Sequence, residues 1–134
     1  MINRDKIISA METKMMEIYN ASETYKSRGE HGILAVQIKS DTRPGQWDCT
    51  IVPFGTPYVA GFSMDTTVHE KMAYVRRTGK KSGAEQREVV GTESYWEGAI
   101  ISEDGNCICA FSGFEGSDDV LIAEAGMEVY EASK

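Results

Sequence analysis

Histidine is the residue type in this sequence best suited to bind a metal ion, and the chain has two, His31 and His69. His69 follows Thr67, where we expect a helix to begin, and the positive end of a helix dipole keeps an imidazole neutral. A neutral imidazole can ligate a metal or an iron centre, although a lone histidine is usually structural. Neither histidine belongs to a motif such as H-E-x-x-H. The sequence therefore makes His69 a candidate ligand-binding residue, predicts no metal site, and places His31 in a solvated loop.

Basic side chains cluster in the middle of the chain. Residues 71–87 contain six basic residues and one acidic residue, a net charge of +5, and residues 88–134 contain one basic and eleven acidic residues. Such cations either bind a small anion or lie at the end of a helix, near the negative pole of its dipole. Lys71, Arg76 and Arg77 are the candidate anion-binding residues. The net charge of −7 for the whole chain disfavours nucleic acid and anionic membranes as partners, because both are polyanions.

A short loop with two glycines, residues 112–117, joins a predicted strand to a predicted helix. Glycine lets backbone N–H groups approach a ligand closely, and a helix N-terminus favours an anion. Ser112, Gly113, Gly116 and Ser117 are therefore candidate ligand-binding residues. The loop lacks the Lys-Ser/Thr of a P-loop, and nearby acidic residues disfavour phosphate. A tight turn between strand and helix is the alternative interpretation.

Three cysteines, Cys49, Cys107 and Cys109, are an odd number, which favours a reducing cytoplasm over a disulfide framework. Residues 1–5 also lack the layout of a signal peptide, and no apolar run is long enough for a membrane helix. Three thiolates can hold a soft metal, but we expect these side chains to pack in the core, because free cysteine is usually buried. No Ser-His-Asp order or nucleophile elbow is evident, so catalytic residues are unknown and no enzyme mechanism is identified.

Three helices are expected to position these residues in a single domain that spans residues 1–134. They are predicted over residues 4–27, 67–79 and 117–132. Asn3 is the expected cap of the first helix, and a capping box of Thr67 and Glu70 starts the second. Gly79 ends the second helix, and Ser117 caps the third.

Antiparallel strands make up the rest of the predicted domain. They span residues 33–38, 47–52, 98–102 and 107–111. Asp104-Gly105 is a strong hairpin signal between the last two strands, and residues 80–94 are predicted as loop with a possible short strand over 88–90. The strand over 107–111 is apolar on both faces. Since three helices cover one face fully and the other only partly, a second copy of the chain is expected to cover the rest.

The chain resembles the haem-binding and haem-degrading domain family, the GlcG/HbpS-like proteins, in two segments. The first is residues 98–123, GAIISEDGNCICAFSGFEGSDDVLIA. Family members have here a strand that begins with Gly, a D-G turn, a strand that ends in S-G, a short loop with Gly, an acidic dipeptide and an Ala-rich helix. The second is residues 67–82, TVHEKMAYVRRTGKKS, similar to the middle helix in a branch of small oligomeric members. The resemblance covers most of the chain, with the same order of elements.

The resemblance implies an α+β fold, a profilin-like sandwich with the N- and C-terminal helices on one face of an antiparallel sheet and the middle helix on the other. It also implies a homo-oligomer built from dimers and, in some members, binding of haem or a related tetrapyrrole. We therefore expect a small binding module for haem or another planar anionic cofactor, with His69, Lys71 and Arg76 at a subunit seam. The alternatives are an oligomeric scaffold without its own chemistry and an enzyme that acts on a small carboxylate near residues 113–117.

Overall fold

Within residues 3–59, 62–83 and 87–134, which a computed structural model of the chain describes, the protein has four helices and six strands. In chain order these are α1 (Arg4–Asn20), α2 (Glu23–Arg28), β1 (Ile33–Lys39), β2 (Trp47–Pro53), β3 (Tyr58–Val59), β4 (Phe62–Ser63), α3 (Met64–Thr78), β5 (Ala99–Ile101), β6 (Cys107–Ser112) and α4 (Gly116–Ala132). The fold is α+β, as predicted, with an open sheet of four antiparallel strands. In these three ranges, no helix has both the length and the apolar character that crossing a membrane requires.

The larger sheet has the strand order β2-β1-β6-β5, and a small second sheet pairs β3 with β4. In the larger sheet, Ala35 of β1 lies opposite Ile51 of β2 on one side and Ala110 of β6 on the other. The four strands predicted outside residues 80–94 are confirmed, because each is an apolar or alternating run between turn-forming residues. The predicted hairpin turn is confirmed too, and its Gly105 has a φ of 74°, a conformation that favours glycine.

Strand β6 is buried on both faces by helices of its own chain. Cys107, Cys109 and Phe111 pack in one core with α1 and α4. Ile108 and Ala110 pack in a second core with α3. Because side chains alternate across a strand, β6 contributes to both cores, and all six of its residues are buried. The expectation that a second copy must cover this strand is therefore wrong, and self-association stays a prediction without that support.

The first predicted helix is divided in two. Helix α1 begins after Asn3, whose side chain accepts a hydrogen bond from the Lys6 N–H at 3.1 Å, so the predicted cap is confirmed. The helix ends at Asn20, short of the predicted residue 27. Ser22 then starts α2 by accepting a hydrogen bond from the Tyr25 N–H at 3.2 Å. A serine that caps a new helix competes with continuation of the old one, which explains the break.

Helix α3 begins earlier than the sequence predicts. Its N-cap is Ser63, which accepts a hydrogen bond from the Thr66 N–H at 3.2 Å. Thr67 lies inside the helix and donates its hydroxyl to the Ser63 carbonyl at 3.0 Å. The predicted capping box of Thr67 and Glu70 is therefore wrong. The predicted end is confirmed, because Gly79 has a left-handed φ of 69° and its N–H bonds to the carbonyl of residue 75.

The N-cap of α4 also differs from the prediction. The cap residue is Glu115, which makes no side-chain cap hydrogen bond, and Ser117 lies within the first turn. Residues 88–90 do not form the short strand that the sequence suggested. Cys107 and Cys109 are buried as expected, whereas Cys49 is exposed. Among the residues that the structure describes, no group of three or more His, Cys, Asp or Glu side chains is arranged to hold a metal ion.

Candidate ligand pocket at the start of helix α4

A pocket of about 330 Å³ lies where the loop after β6 leads into α4, beside the first two turns of α3. The segment that precedes β5 forms another wall of the pocket. This volume is near the lower end of the range for small-molecule sites, ~300–1,000 Å³. The lining residues are His31, Met64, Thr67, Lys71, Trp96, Glu97, Ser112, Gly113, Phe114, Glu115, Gly116 and Asp119.

The base of the pocket is a buried ion pair between α3 and α4. The Lys71 ammonium donates to a carboxylate oxygen of Asp119 at 3.0 Å and to the carbonyl oxygen of Phe111 at 2.8 Å. Lys71 is 1% exposed and Asp119 is 3% exposed. An ammonium has three donors, and the third has no acceptor among the described residues. The pocket therefore contains a fixed charge pair shielded from bulk water.

The position of Lys71 follows from its helix. It lies three residues after Val68 and four before Val75, and both of these side chains are fully buried. Residues three and four apart share one face of a helix, so Lys71 must enter the interior with them. A buried ammonium requires an acid or several hydrogen-bond acceptors. Asp119 in the first turn of α4 meets that requirement.

Burial changes the acid–base behaviour of both partners. Burial lowers the pKa of the Lys71 ammonium, against the attraction of Asp119, which raises it. Burial also raises the pKa of Asp119 to about 6, against the opposing effects of Lys71 and of the backbone N–H groups of Phe114 and Gly113. Strongly perturbed pKa values in a cleft are typical of functional sites, although structural ion pairs also have them.

Close backbone packing holds the ion pair in place. The Phe114 N–H donates to the second carboxylate oxygen of Asp119 at 2.9 Å, which fixes the loop onto α4. Gly98 has a φ of 127°, and a Cβ atom there would lie 2.8 Å from the Lys71 Nζ and 2.6 Å from the Phe111 carbonyl oxygen. A glycine is therefore required at position 98 for β5 to start beside the ion pair.

Glu97 lies over the first turn of α4. A Cβ atom on Gly116 would lie 3.0 Å from a Glu97 carboxylate oxygen, so glycine at this position permits the close approach. The helix dipole favours a carboxylate at this end of a helix. Glu97 therefore adds negative charge beside the helix start, where the sequence suggested that a ligand anion would bind.

His31 lines the pocket, contrary to the expectation of a solvated loop residue. Its backbone bridges to Thr56, and its ring packs edge-on against Phe114, with ring centroids 6.1 Å apart. Its Nδ1 atom is buried and has no hydrogen-bond partner among the described residues. A buried imidazole nitrogen without a partner is uncommon in a folded protein.

Four of the eight sequence-predicted site residues line this pocket. They are Lys71, Ser112, Gly113 and Gly116. The fifth, Ser117, is exposed in the first turn of α4 and is not a lining residue.

The other three predicted residues lie elsewhere on or near α3. His69 is exposed, and its Nδ1 lies 2.8 Å from the Asp65 carbonyl oxygen. Arg76 donates to the side-chain oxygen of Gln37 at 2.5 Å, and Arg77 forms an ion pair with Glu93 at 2.6 Å. The structure therefore does not bring His69, Arg76 and Arg77 to the pocket of Lys71.

Eight of the twelve described lining residues were not predicted, among them His31, Glu97 and Asp119. By sequence, Asp119 is one of two adjacent acids, and its residue type does not distinguish it from an ordinary first-turn acid. One signal pointed to its role, since Lys71 lies on the apolar face of its helix and must have a buried partner. His31 and Glu97 have no comparable local signal, because they reach the pocket only through the pairing of distant segments.

A second groove lies between the start of α1 and the end of α4, with a volume of about 680 Å³. Its apolar wall includes Ile7, Ala10 and Val129, and its basic residues, Lys6 and Lys134, are exposed. Neither of these charges is buried, whereas the pocket at the start of α4 contains a buried ion pair. The pocket at the start of α4 is therefore the stronger candidate site.

Comparisons of this chain with models of protein families, with curated proteins and with solved structures find no match.

Proposed function

We propose that the protein is a binding module for a small molecule, which lies in the pocket at the start of α4. The observation that carries this proposal is the Lys71–Asp119 ion pair at the base of the pocket. Burying two charges is costly, and an apolar pair of similar volume is often as stable. Ligand sites are typically small cavities with mostly apolar walls and a few fixed polar or charged groups.

For the finer fold, we propose the profilin-like sandwich of the GlcG/HbpS-like proteins. The order of elements supports this proposal, as does the packing of α1 and α4 on one core and of α3 on the other. Haem stays a predicted ligand of His69, outside the pocket. A Soret shift on titration with hemin, lost in His69→Ala, would support that prediction.

The proposed function is tested by titrating the isotope-labelled full chain with a set of small polar and aromatic fragments and recording backbone amide NMR shifts. We expect bound fragments to shift the amides of Gly113, Phe114 and Gly116. The amides of Thr13 and Glu17, on the exposed side of α1, should not move. The proposal would be overturned if no fragment shifts the amides of the pocket, or if fragments shift only the amides of residues in the groove between α1 and α4.

A pair of variants provides the matched control. Glu97→Gln changes a carboxylate at the pocket, and Glu128→Gln makes the same change at an exposed position of α4. Binding of the fragments that respond should change in Glu97→Gln and stay as in the wild type in Glu128→Gln. Equal effects of both variants would mean that the response comes from net charge and not from the pocket.

A further inference from the structure

The pocket has more negative than positive charge. Lys71 is matched by Asp119 at 3.0 Å, so these two side chains cancel. Among the described residues, two more carboxylates line the pocket, Glu97 and Glu115, and Lys71 is the only basic lining residue apart from His31. The described lining therefore has an excess of two negative charges when His31 is neutral.

An anion finds one free donor in the described pocket, the third N–H of the Lys71 ammonium, whose charge is already balanced by Asp119. The dipole at the start of α4 favours negative charge, but the Glu97 carboxylate lies against Gly116 there. The Phe114 N–H in the loop donates to Asp119 at 2.9 Å. An added anion would therefore be repelled by the Glu97 and Glu115 carboxylates, and an added cation would be attracted by both.

Nearby basic residues do not reverse this balance. The Arg87 guanidinium bonds to the Trp96 carbonyl at 3.2 Å and lies over the ring of Tyr74, 4.0 Å from its centroid. It is not a lining residue of the pocket. Arg28 is paired with Asp118 at 3.1 Å, on the other side of the first turn of α4.

Apolar and aromatic groups form the remaining walls. Phe114 lines the pocket and stacks on Tyr25, with ring centroids 4.9 Å apart, which holds its ring in place. Met64 adds a buried apolar surface. The His31 ring also lines the pocket and packs edge-on against Phe114. An aromatic wall beside carboxylates is a typical environment for an organic cation.

We infer that the ligand of this pocket has a protonated amine joined to a small apolar or aromatic group. This inference rests on the proposed function, because it assigns the chemical class of the molecule that the pocket binds. The amine would lie beside Glu97 and Glu115, and the apolar part would contact Phe114 and Met64. Binding is reversible and involves no covalent step.

Three probes of similar shape and different charge test the inference: benzylamine, benzyl alcohol and benzoate. Each is titrated into the wild-type chain at about pH 7, where an alkyl amine is protonated and a carboxylate is ionised. We expect benzylamine to bind about tenfold more tightly than benzyl alcohol, and benzoate to bind most weakly. Dissociation constants come from the shifts of the Gly113, Phe114 and Gly116 amides.

Glu97→Gln should reduce the preference for benzylamine over benzyl alcohol several-fold, and Glu128→Gln should leave it unchanged. A second measurement uses only the wild-type chain and therefore does not depend on whether the variant folds. Raising the salt concentration from about 0.05 M to about 0.5 M should weaken benzylamine binding to the wild type, because salt screens partly exposed charges. Binding of benzyl alcohol should change little.

The outcomes separate the inference from the proposed function. Benzoate that binds as tightly as benzylamine would overturn the inference and leave the proposed function standing. A benzylamine affinity that neither salt nor Glu97→Gln reduces would also overturn the inference. Absence of pocket shifts with all three probes would overturn the inference as well, and the proposed function fails only if the wider fragment set gives no pocket shifts either.

Discussion

Lys71 is a charged residue at a position where α3 otherwise buries apolar side chains. Its neighbours on this face, Val68 and Met72, are fully buried, and Lys71 is 1% exposed. The two hydrogen bonds to Asp119 and the Phe111 carbonyl offset part of the cost of removing its charge from water. Each partner therefore depends on the other, and removing one leaves a buried charge without a counter-ion.

The ion pair leads to a prediction about stability. We expect Lys71→Met to lower the free energy of unfolding by about 3–5 kcal/mol, because it leaves the Asp119 carboxylate buried and unpaired. Asp119→Asn should be costly for the same reason, since it leaves the ammonium unpaired. The double variant Lys71→Met/Asp119→Asn should cost less than the sum of the two. Urea denaturation of the four proteins measures these differences.

The pH dependence of this effect has a definite sign. Without Lys71, the pKa of Asp119 loses an influence that lowers it. A carboxyl whose pKa is higher in the folded than in the unfolded state loses folding stability as the pH rises. The destabilisation of Lys71→Met relative to the wild type should therefore be larger at about pH 8 than at about pH 5.

An exposed ion pair provides the control. Lys81 and Glu124 are 3.6 Å apart, and their side chains are 49% and 40% exposed. Lys81→Met should cost less than about 1 kcal/mol, since exposed pairs contribute little. Additive effects of Lys71→Met and Asp119→Asn, each no larger than that of the control, would contradict the role given to the buried pair.

The starts of α1, α2 and α3 are capped by side chains that lie just before each helix. Ser63, Thr67 and Ser117 are all good cap residues by type, and the sequence does not distinguish among them. The cap of α3 is Ser63, because the small β3-β4 hairpin ends at this residue and α3 begins directly after it. At α4, the cap position is occupied by Glu115.

The assignment of the α3 cap predicts a difference between two serines. Ser63→Ala removes the acceptor for the Thr66 N–H and should lower the free energy of unfolding by about 0.5–2 kcal/mol. Ser117→Ala should change it by less than about 0.5 kcal/mol, because Ser117 is exposed and caps no helix. Thermal denaturation of both variants measures the difference. A larger loss in Ser117→Ala would restore the cap that the sequence predicts.

Local patterns predicted the sheet and the helices of this molecule better than they predicted its pocket. Alternation and turn residues fix the strands and the turn at Gly105, because neighbouring residues carry this information. The pocket depends on contacts between distant segments. Lys71 and Asp119 are 48 residues apart, and His31 reaches them only after β1 pairs with β6. The position of Lys71 on the apolar face of α3 indicates that it has a buried partner, but not which residue that is.

At the scale of the whole molecule, close approach of α4 to the sheet lets one chain cover both faces of β6. Gly126 of α4 lies directly over Cys109 of β6, and a Cβ atom at Gly126 would lie 2.5 Å from the Cys109 Sγ. A glycine is ordinarily unfavourable inside a helix by about 1 kcal/mol relative to alanine. Its presence here is explained by the distance between helix and sheet, which leaves no room for a methyl group.

This packing predicts that replacing Gly126 by alanine destabilises the protein, although alanine has the higher helix propensity. Gly126→Ala should lower the free energy of unfolding by about 1–3 kcal/mol, because the methyl group overlaps a fully buried sulfur atom. Cys109→Ala removes that sulfur, so Gly126→Ala/Cys109→Ala should be more stable than Gly126→Ala combined with Cys107→Ala. Cys107 belongs to the same core but is not among the atoms nearest to Gly126. Equal stability of the two double variants in urea denaturation would show that α4 does not pack closely against Cys109. The explanation that close packing of α4 lets one chain cover both faces of β6 would then be wrong.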